Sequence, residues 1–341
     1  MVTEDIDAGF ELVLAAKLVG KPVLDVRPLG GGRNSRVYRV DTGHSLFALK
    51  HYPSLADDSR DRLTTETRAL QWLASHGIDT VPRVVSIDRG MNCALLSWIE
   101  GVAVAEVSTD DVDQAVNFLS ALQRLRRAFD FPSPQLGSEA CLSGAEIAYQ
   151  IRTRFSVLEG LEGEAGLQSF LKDEFSDQFE HQVGEARRKL SAASLPFDEN
   201  LKQQWQTLAP SDFGFHNAIR DHNGSLSFLD FEYFGWDDPV KLTSDTLLHP
   251  GTPKPEAIRI RLWAALQRLY GDDPGFSERL AAFFPLFGLR WVLILLNEFH
   301  PSRWHRRMLA GERGDWSRVK EGQLRAARAM LCEISNLKGF G

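Results

Sequence analysis

Three polar residues, Asp212, Asn217 and Asp230, lie close together in the stretch from residue 211 to residue 232. The letters between the last two predict a small β-hairpin, because an Asn-Gly pair suits a tight turn between two apolar runs. Such a hairpin places Asn217 beside Asp230, and Asp212 on the preceding loop faces the same space. Carboxylate and amide oxygens are the ligands that Mg²⁺ prefers. The stretch therefore predicts a metal site, although Asp and Asn taken singly are more often turn-forming residues.

The spacing of these residues favours a functional role over the turn-forming one. The pattern is D-x-x-x-x-N, then the hairpin, then D-F-E. It has the form of the catalytic loop and metal-binding triplet used in phosphoryl transfer by kinases. In that chemistry the first aspartate accepts or orients the proton of the attacking hydroxyl group.

A glycine-rich stretch near the N-terminus is followed by predicted strands over residues 37–40 and 45–50. Glycines allow a backbone to approach a phosphate closely. A dinucleotide-binding loop would need a helix after the glycines, and here a hairpin follows. A glycine-rich turn without a ligand explains the same letters about as well. The candidate nucleotide-covering residues are Gly30, Gly31, Gly32, Asn34 and Ser35.

Lys50 ends an apolar strand, and Glu66 lies in a predicted helix over residues 57–75. In the kinase pattern V-A-I-K the strand lysine binds the α- and β-phosphates and pairs with a helix glutamate. Taken alone, Lys50 is an ordinary strand end and Glu66 a surface carboxylate. Their pairing is expected because the glycine-rich loop and the D-F-E triplet accompany them.

The remaining pattern predicts an α+β chain with two lobes, residues 1–98 and residues 99–341. Two further strands are expected over residues 81–87 and 93–98, and the chain leaves this sheet at Ser97, Trp98 and Ile99, whose backbone groups are candidates for an adenine edge. From residue 110 onward the apolar spacing is helical. The predicted helices cover 112–129, 145–159, 165–193, 241–248, 254–270, 276–299 and 316–336.

Length and composition place the chain among ordinary globular proteins. It has 341 residues, 43% hydrophobic and 25% charged, and a net charge of −7, which argues against general nucleic-acid binding. The apolar run over residues 283–296 is too short for a membrane span and predicts a buried core helix. The N-terminus lacks the pattern of a signal peptide. We expect a cytoplasmic protein without membrane or nucleic-acid partners, whose oligomeric state the sequence leaves open.

The three cysteines, Cys93, Cys141 and Cys332, are far apart and odd in number. Neither a disulfide framework nor a zinc spacing can be built from them, which favours a reducing compartment. We expect all three to be small buried side chains.

Taken together, the motifs resemble those of the aminoglycoside phosphotransferase and choline kinase-like enzymes, which share the protein-kinase-like fold. Two differences mark a divergent member: Pro210-Ser211 stands where the family often has His-Gly, and Glu232 stands where protein kinases have glycine. No A-P-E segment follows, which favours a small-molecule kinase over a protein kinase. The matching segments span about 210 residues in family order: GGGRNSRVYRV, FALK, ETRAL, LLSWIEG, SDFGFHN and FLDFEYFGWDDP.

The resemblance implies a bilobal fold and transfer of the γ-phosphoryl group of ATP, or of another nucleoside triphosphate, to a hydroxyl group of a small molecule. Asp212 would be the catalytic residue, Asn217 and Asp230 would hold Mg²⁺, and Lys50 with Glu66 would bind the phosphates. A sugar, an amino alcohol and an aminoglycoside all stay open as acceptors. The alternative is a catalytically silent nucleotide-binding or scaffolding protein on the same fold.

Several weaker candidates follow from the same resemblance. His216 is interpreted as loop packing, and Asp245 as a support for the catalytic loop. The residues Trp236, Asp237 and Asp238 would either line an acceptor cleft or form a turn before Pro239. The late-helix candidates for the acceptor site are Arg290, Trp291, Glu298 and His300.

Overall fold

The computed structural model describes residues 2–30, 35–54, 58–126, 135–251, 254–309 and 314–335. These residues form two compact units. The first lies within Met1–Ala105, Asn117–Pro134 and Pro210–Gly235, and the second within Glu106–Val116, Gln135–Ala209 and Trp236–Gly341. The stretch with the predicted catalytic loop thus belongs to the first unit. The simpler lobe boundary after residue 98 stays a prediction.

The first unit contains an antiparallel five-stranded sheet, as the alternating strands near the N-terminus predict. The spatial order is β1-β2-β3-β5-β4, and each neighbouring pair is antiparallel. Strand β3 lies in the middle, so that its last residues are flanked on both sides. The five strands are β1 (Asp25–Leu29), β2 (Arg36–Asp41), β3 (Leu46–His51), β4 (Val84–Asp88) and β5 (Cys93–Ser97).

Helix α1 (Val2–Val19) packs on one face of this sheet. Leu14 of the helix is buried in one cluster with Val40, Leu49 and Leu95 of three strands. Phe10, which shares the helical spacing of Leu14, is instead about half exposed. This cluster packs against one face of β3 and therefore fixes the position of Lys50 near the end of that strand.

A second small sheet carries the predicted hairpin. Its strands are β6 (Val102–Ala103), β8 (Ala218–Arg220) and β9 (Leu226–Phe228), in the order β6-β8-β9. Strand β6 was not predicted, because two residues show no periodicity. Gly101 precedes it with φ 140°, and a Cβ at this position would lie 2.3 Å from the carbonyl oxygen of Arg220. Only glycine therefore permits this close approach of the two strands.

Helices make up most of the second unit, and α9 forms its centre. Of the 20 residues of α9, 14 are buried, which confirms the buried core helix expected from the apolar run. By length and composition Phe276–Phe299 could cross a membrane, but 72% of its apolar window is buried in the protein. Helix α9 packs against α4, α6, α7 and α11. The helices after α1 are α2 (Arg62–Ser75), α3 (Thr109–Leu125), α4 (Gly144–Glu159), α5 (Ala165–Ser169), α6 (Ser176–Ala192), α7 (Pro239–Leu248), α8 (Glu256–Tyr270), α9 (Phe276–Leu295), α10 (Pro301–Leu309) and α11 (Trp316–Ser335).

Some local predictions need correction. Helix α2 begins at Arg62 rather than residue 57, because the Asp61 side chain accepts a hydrogen bond from the Thr64 amide and caps the helix there. A π-helical turn, Phe170–Phe175, separates α5 from α6 where one helix was expected. The short strands β7 (Thr207–Ala209) and β10 (Gly235–Asp237) pair with each other and were not predicted. Cys93 and Cys141 are buried as expected, but Cys332 is exposed.

Candidate active site

Lys50 at the end of β3 joins two acidic residues from distant parts of the first unit. Its Nζ donates hydrogen bonds to Glu66 Oε2 of α2 at 2.7 Å and to Asp230 Oδ1 at 2.6 Å. The predicted pairing of Lys50 with Glu66 is therefore present in the structure. The second oxygen of Glu66 accepts a hydrogen bond of 3.1 Å from the backbone amide of Phe231, so that the helix also holds the segment that carries Asp230.

The electrostatics of this group follow from the burial of Lys50. Burial alone would lower the pKa of Lys50, but the carboxylates of Asp230 and Glu66 outweigh it and hold the pKa well above its usual value. Lys50 is therefore a permanent cation. Burial acts in the opposite direction on Asp230 and raises the pKa of that carboxyl group, although the ammonium of Lys50 partly offsets the effect. A partly desolvated anion of this kind is stabilised by an added cation.

Glu232, two residues after Asp230, has a different environment. Its Oε1 accepts a hydrogen bond of 2.6 Å from the guanidinium of Arg62, and its Oε2 accepts one of 3.0 Å from the hydroxyl of Ser35. The same carboxylate lies 3.3 Å from Lys50 Nζ. Burial would raise the pKa of Glu232, but the two cations Lys50 and Arg62 outweigh it and keep the pKa below its usual value. Glu232 is thus an anion inside a hydrogen-bonded network.

The loop before the hairpin places Asp212 next to His216. The Nε2 atom of His216 lies 3.1 Å from Asp212 Oδ1. The side-chain Nδ2 of Asn217 donates a hydrogen bond of 3.0 Å to the backbone carbonyl of Asp212. Ser211 has φ 66°, a left-handed conformation that favours glycine. Ser211, which stands where the family often has glycine, therefore holds a left-handed backbone at a strain cost that glycine would not have.

The hairpin brings the backbone of Asn217 next to the residue that precedes Asp230. The amide of Leu229 donates a hydrogen bond of 2.8 Å to the carbonyl of Asn217, so that Asn217 lies opposite the residue just before Asp230. The Asn217 amide nitrogen is held by Asp212, which leaves its side-chain oxygen as a ligand atom. The Asp230 side chain is 31% exposed. A partly exposed carboxylate and an amide oxygen are ligand types that suit a hard divalent cation.

Not every predicted site residue lies in the described part of the chain. Gly31, Gly32 and Asn34 lie outside it, whereas Gly30 is an exposed turn residue and Ser35 contacts Glu232.

The predicted adenine-edge segment follows directly from strand β5. Ser97 exchanges hydrogen bonds with the backbone of Arg83, and Ser97, Trp98 and Ile99 are half-buried. Their role toward adenine stays a prediction.

Asp237 and Asp238, the acidic pair after the hairpin, have structural partners and do not line an open cleft. Asp237 and Asp238 are both 1% exposed, which is too little for the lining of an open cleft. Asp237 lies 3.0 Å from Lys241 Nζ, and Asp238 caps α7 through the Val240 amide and binds Arg279. Both residues are buried ion-pair partners inside the helical unit.

The other weak candidates also have structural partners in the helical unit. Asp245 accepts a hydrogen bond of 2.8 Å from the indole of Trp291 and lies 3.5 Å from Arg290. Glu298 forms an ion pair with Arg307 at 3.2 Å. His300 is half-buried, and burial followed by two nearby guanidinium groups lowers its pKa.

Three residues of the candidate site were not singled out as site residues from the sequence. They are Arg62, Glu232 and His216: Glu232 lies 3.3 Å from Lys50, His216 lies 3.1 Å from Asp212, and Arg62 binds Glu232 rather than a predicted site residue. His216 lies in a short 3₁₀ turn, Phe215–Asn217, that begins after Asp212, so helical spacing does not predict their contact. Arg62 precedes Glu66 by four positions on α2, so both side chains share one face.

Comparisons with known proteins bear on the family and the fold. Residues 25–139 match the model of the phosphotransferase enzyme family. No curated protein sequence matches the chain significantly.

Three solved structures with similar folds are described as small-molecule kinases or phosphotransferases. A choline kinase from Streptococcus pneumoniae has a TM-score of 0.58 at 17% identity, covering 95% of this chain and 99% of that one. A spectinomycin phosphotransferase in complex with ADP and spectinomycin has 0.61 at 11% identity, covering 95% and 98%. An ethanolamine kinase from Plasmodium vivax has 0.52 at 15% identity, covering 90% and 84%. The chain therefore has the protein-kinase-like fold, and its resemblance to the aminoglycoside phosphotransferase and choline kinase-like family is confirmed.

Proposed function

We propose that this protein is a small-molecule kinase that transfers the γ-phosphoryl group of ATP to a hydroxyl group of its substrate. One observation carries the proposal: Lys50 is bound by Glu66 and by Asp230 within 2.7 Å, in the same compact unit as the loop with Asp212 and Asn217. If these three ionic groups served only to stabilise the fold, they would contribute little, because the cost of removing them from water offsets their mutual attraction.

In this function Lys50 binds the α- and β-phosphates of the nucleotide. Glu66 holds the ammonium from the helix side, so that Lys50 keeps its position when the phosphates replace the contact with Asp230. The resulting site is electrostatically prepared before the nucleotide arrives. Such preorganisation is the main contribution a protein makes to phosphoryl transfer, because the transition state is loose and charge is spread over its oxygens.

Asp212 accepts or orients the proton of the acceptor hydroxyl. His216 contacts its carboxylate at 3.1 Å and Asn217 binds its backbone carbonyl, so that the loop holds Asp212 from two sides. A side chain that takes part in proton transfer must be held within hydrogen-bond reach of the reacting group.

Asp230 and Asn217 are the residues that would hold Mg²⁺. When bound, the ion neutralises charge on the phosphates during transfer. Asp230 is suited to this role because its carboxylate is partly exposed and already lies in a region of excess negative charge. Asn217 adds a neutral oxygen ligand and links the metal side of the site to the Asp212 loop.

The acceptor is a small hydroxyl compound. Similar folds belong to proteins described as kinases of choline, ethanolamine and spectinomycin, which share a hydroxyl group and a positively charged nitrogen. A sugar, an amino alcohol and an aminoglycoside are the classes to test first. The net charge of −7 suits a cationic acceptor through steering, but net charge does not select one among them.

The test is the thermal unfolding of the purified chain with ATP, with and without Mg²⁺. We expect ATP to raise the melting temperature, and Mg²⁺ to increase that rise, because a ligand that binds only the folded state stabilises it. Asp230→Asn should abolish the Mg²⁺-dependent part. An ATP response that is identical with and without Mg²⁺ would instead favour a catalytically silent nucleotide-binding protein.

A further inference from the structure

Two carboxylates of the D-F-E triplet face very different surroundings. The side chain of Asp230 is 31% exposed, whereas that of Glu232 is 1% exposed. Their oxygens and those of Glu66 lie within 4.8 Å of one another, so by distance alone all three belong to one possible metal cluster. Their exposure distinguishes Asp230 from Glu232, because a metal ligand must offer an accessible lone pair to the incoming ion.

Both oxygens of Glu232 are already engaged inside the protein. Oε1 accepts from Arg62 at 2.6 Å, and Oε2 accepts from Ser35 at 3.0 Å with Lys50 at 3.3 Å. A metal ion at Glu232 would have to compete with Arg62 at Oε1 or with Ser35 and Lys50 at Oε2. Breaking one side of a buried, hydrogen-bonded ion pair is among the more costly changes in a protein.

Arg62 is equally well fixed. Its side chain is 5% exposed, its Nε donates to Asp58 at 2.9 Å, and its guanidinium lies 4.9 Å from the centre of the Tyr233 ring. Arg62 lies one turn before Glu66 on α2, and Glu66 accepts from the Phe231 amide. One face of α2 therefore binds the D-F-E segment at two successive points.

Because of these contacts, we infer that Glu232 is a positioning residue and not a metal ligand. The inference rests on the proposed function. Through Arg62, Ser35 and Lys50, Glu232 joins the start of β2, the end of β3 and helix α2 to the segment that carries Asp230. Loss of the Arg62–Glu232 link should therefore misplace Lys50 and Asp230 together, without removing a ligand from the metal.

The experiment is a double-mutant cycle on the full chain with Glu232→Gln, Arg62→Met and the pair together. Arg68→Met is the matched control, because Arg68 lies exposed on the same helix. If Glu232 positions the site through Arg62, each single variant should lower kcat by a similar factor, at least ~10-fold. The half-saturating Mg²⁺ concentration should stay within about 2-fold of wild type. The double variant should be no worse than the poorer single variant, since residues acting through one contact are not additive.

A metal-ligand role for Glu232 predicts a different result. Glu232→Gln alone would then raise the Mg²⁺ requirement by ~10-fold or more, Arg62→Met would leave it unchanged, and the two effects would add. That outcome overturns the inference. Arg62→Lys, which keeps the charge, should recover part of the activity lost in Arg62→Met if the link is positional.

A measurement without metal distinguishes a failure of this inference from a failure of the proposed function. ADP binding in excess chelator, measured by calorimetry, needs neither Mg²⁺ nor turnover. Glu232→Gln and Arg62→Met should each weaken it by a similar factor, and the pair should weaken it no further, because both act on Lys50. Unchanged ADP binding in both single variants would overturn the inference. A wild-type protein that binds ADP but phosphorylates nothing would contradict the proposed function alone.

Discussion

The ammonium of Lys50 and the carboxylate of Glu66 form an ion pair of 2.7 Å in which both side chains are less than a tenth exposed. The pair joins the central strand of the sheet to helix α2. The fold itself therefore positions Lys50, the residue proposed to bind the phosphates. The same contact makes the stability of the first unit depend on residues of the proposed reaction.

Lys50→Met should therefore destabilise the protein as well as inactivate it. The substitution leaves two buried carboxylates, Glu66 and Glu232, and the partly exposed Asp230 without the ammonium that they share, which costs about 3 kcal/mol of unfolding free energy. Urea unfolding at neutral pH measures the loss. Glu66→Gln added to Lys50→Met should recover part of it, because one uncompensated charge is removed. A Lys50→Met variant as stable as wild type would show that the ion pairs contribute nothing to the fold.

Ser211 offers a test of backbone strain in the loop that carries Asp212. Its φ of 66° costs an L-residue roughly 1 kcal/mol relative to glycine. Among the described residues its buried hydroxyl has no hydrogen-bond partner, so Ser211→Ala keeps the strain and removes only the hydroxyl. We expect Ser211→Gly to be about 1 kcal/mol more stable than Ser211→Ala in thermal unfolding. Equal stability of the two variants would argue against a left-handed backbone at this position.

Gly101 should tolerate no side chain. A Cβ there would lie 2.3 Å from the Arg220 carbonyl oxygen at a φ of 140°, so Gly101→Ala must displace β6 from β8. We expect a loss of roughly 2 kcal/mol or more in urea unfolding. Gly184→Ala is the control, because nothing lies within 4 Å of its added Cβ and alanine favours the helix. Similar losses in both variants would contradict the close strand approach.

Glu139 in the helical unit predicts a pH dependence. Burial acts to raise its pKa, but the guanidiniums of Arg154 and Arg290 outweigh it and lower the pKa to about 2. The unfolded carboxyl titrates near 4.5, so its contribution to stability is full above that pH and is lost as the pH falls toward 2. Glu139→Gln should thus destabilise at pH 7, with a smaller difference from wild type at pH 3.

The control for this prediction is Glu180→Gln, in which the carboxylate is 65% exposed and 3.7 Å from Arg152. That variant should differ little from wild type at either pH, because exposed ion pairs contribute little. A Glu139→Gln difference that stays constant between pH 7 and pH 3 would show that the carboxylate is not stabilised by its two arginines.

Much of the first unit follows from sequence pattern because its signals are local. Alternating apolar residues predict the strands, and an Asn-Gly turn predicts the hairpin that brings Asn217 to Leu229. The Lys50–Glu66 pair is 16 residues apart and belongs to a known strand–helix pattern, so it was also predictable. In each case the residues that specify the feature are neighbours in sequence or members of one motif.

The partners of Glu232 could not be predicted in the same way. Arg62 is 170 residues away, and nothing local distinguishes it from Arg60 or Arg68. Which arginine faces the site depends on where α2 begins, and that is fixed by the Asp61 cap. Similarly, the two-residue and three-residue strands β6, β7 and β10 show no periodicity of their own and exist only because a partner strand lies beside them.

The central claim is phosphoryl transfer with Asp212 as the residue that handles the acceptor proton. The most direct measurement is acceptor-dependent ADP production with Mg²⁺ and ATP, against a panel of sugars, amino alcohols and aminoglycosides, by wild type and Asp212→Asn. We predict that at least one acceptor is phosphorylated, and that Asp212→Asn binds ATP normally but lowers kcat ~100-fold or more. Equal turnover by Asp212→Asn on that acceptor would contradict the account.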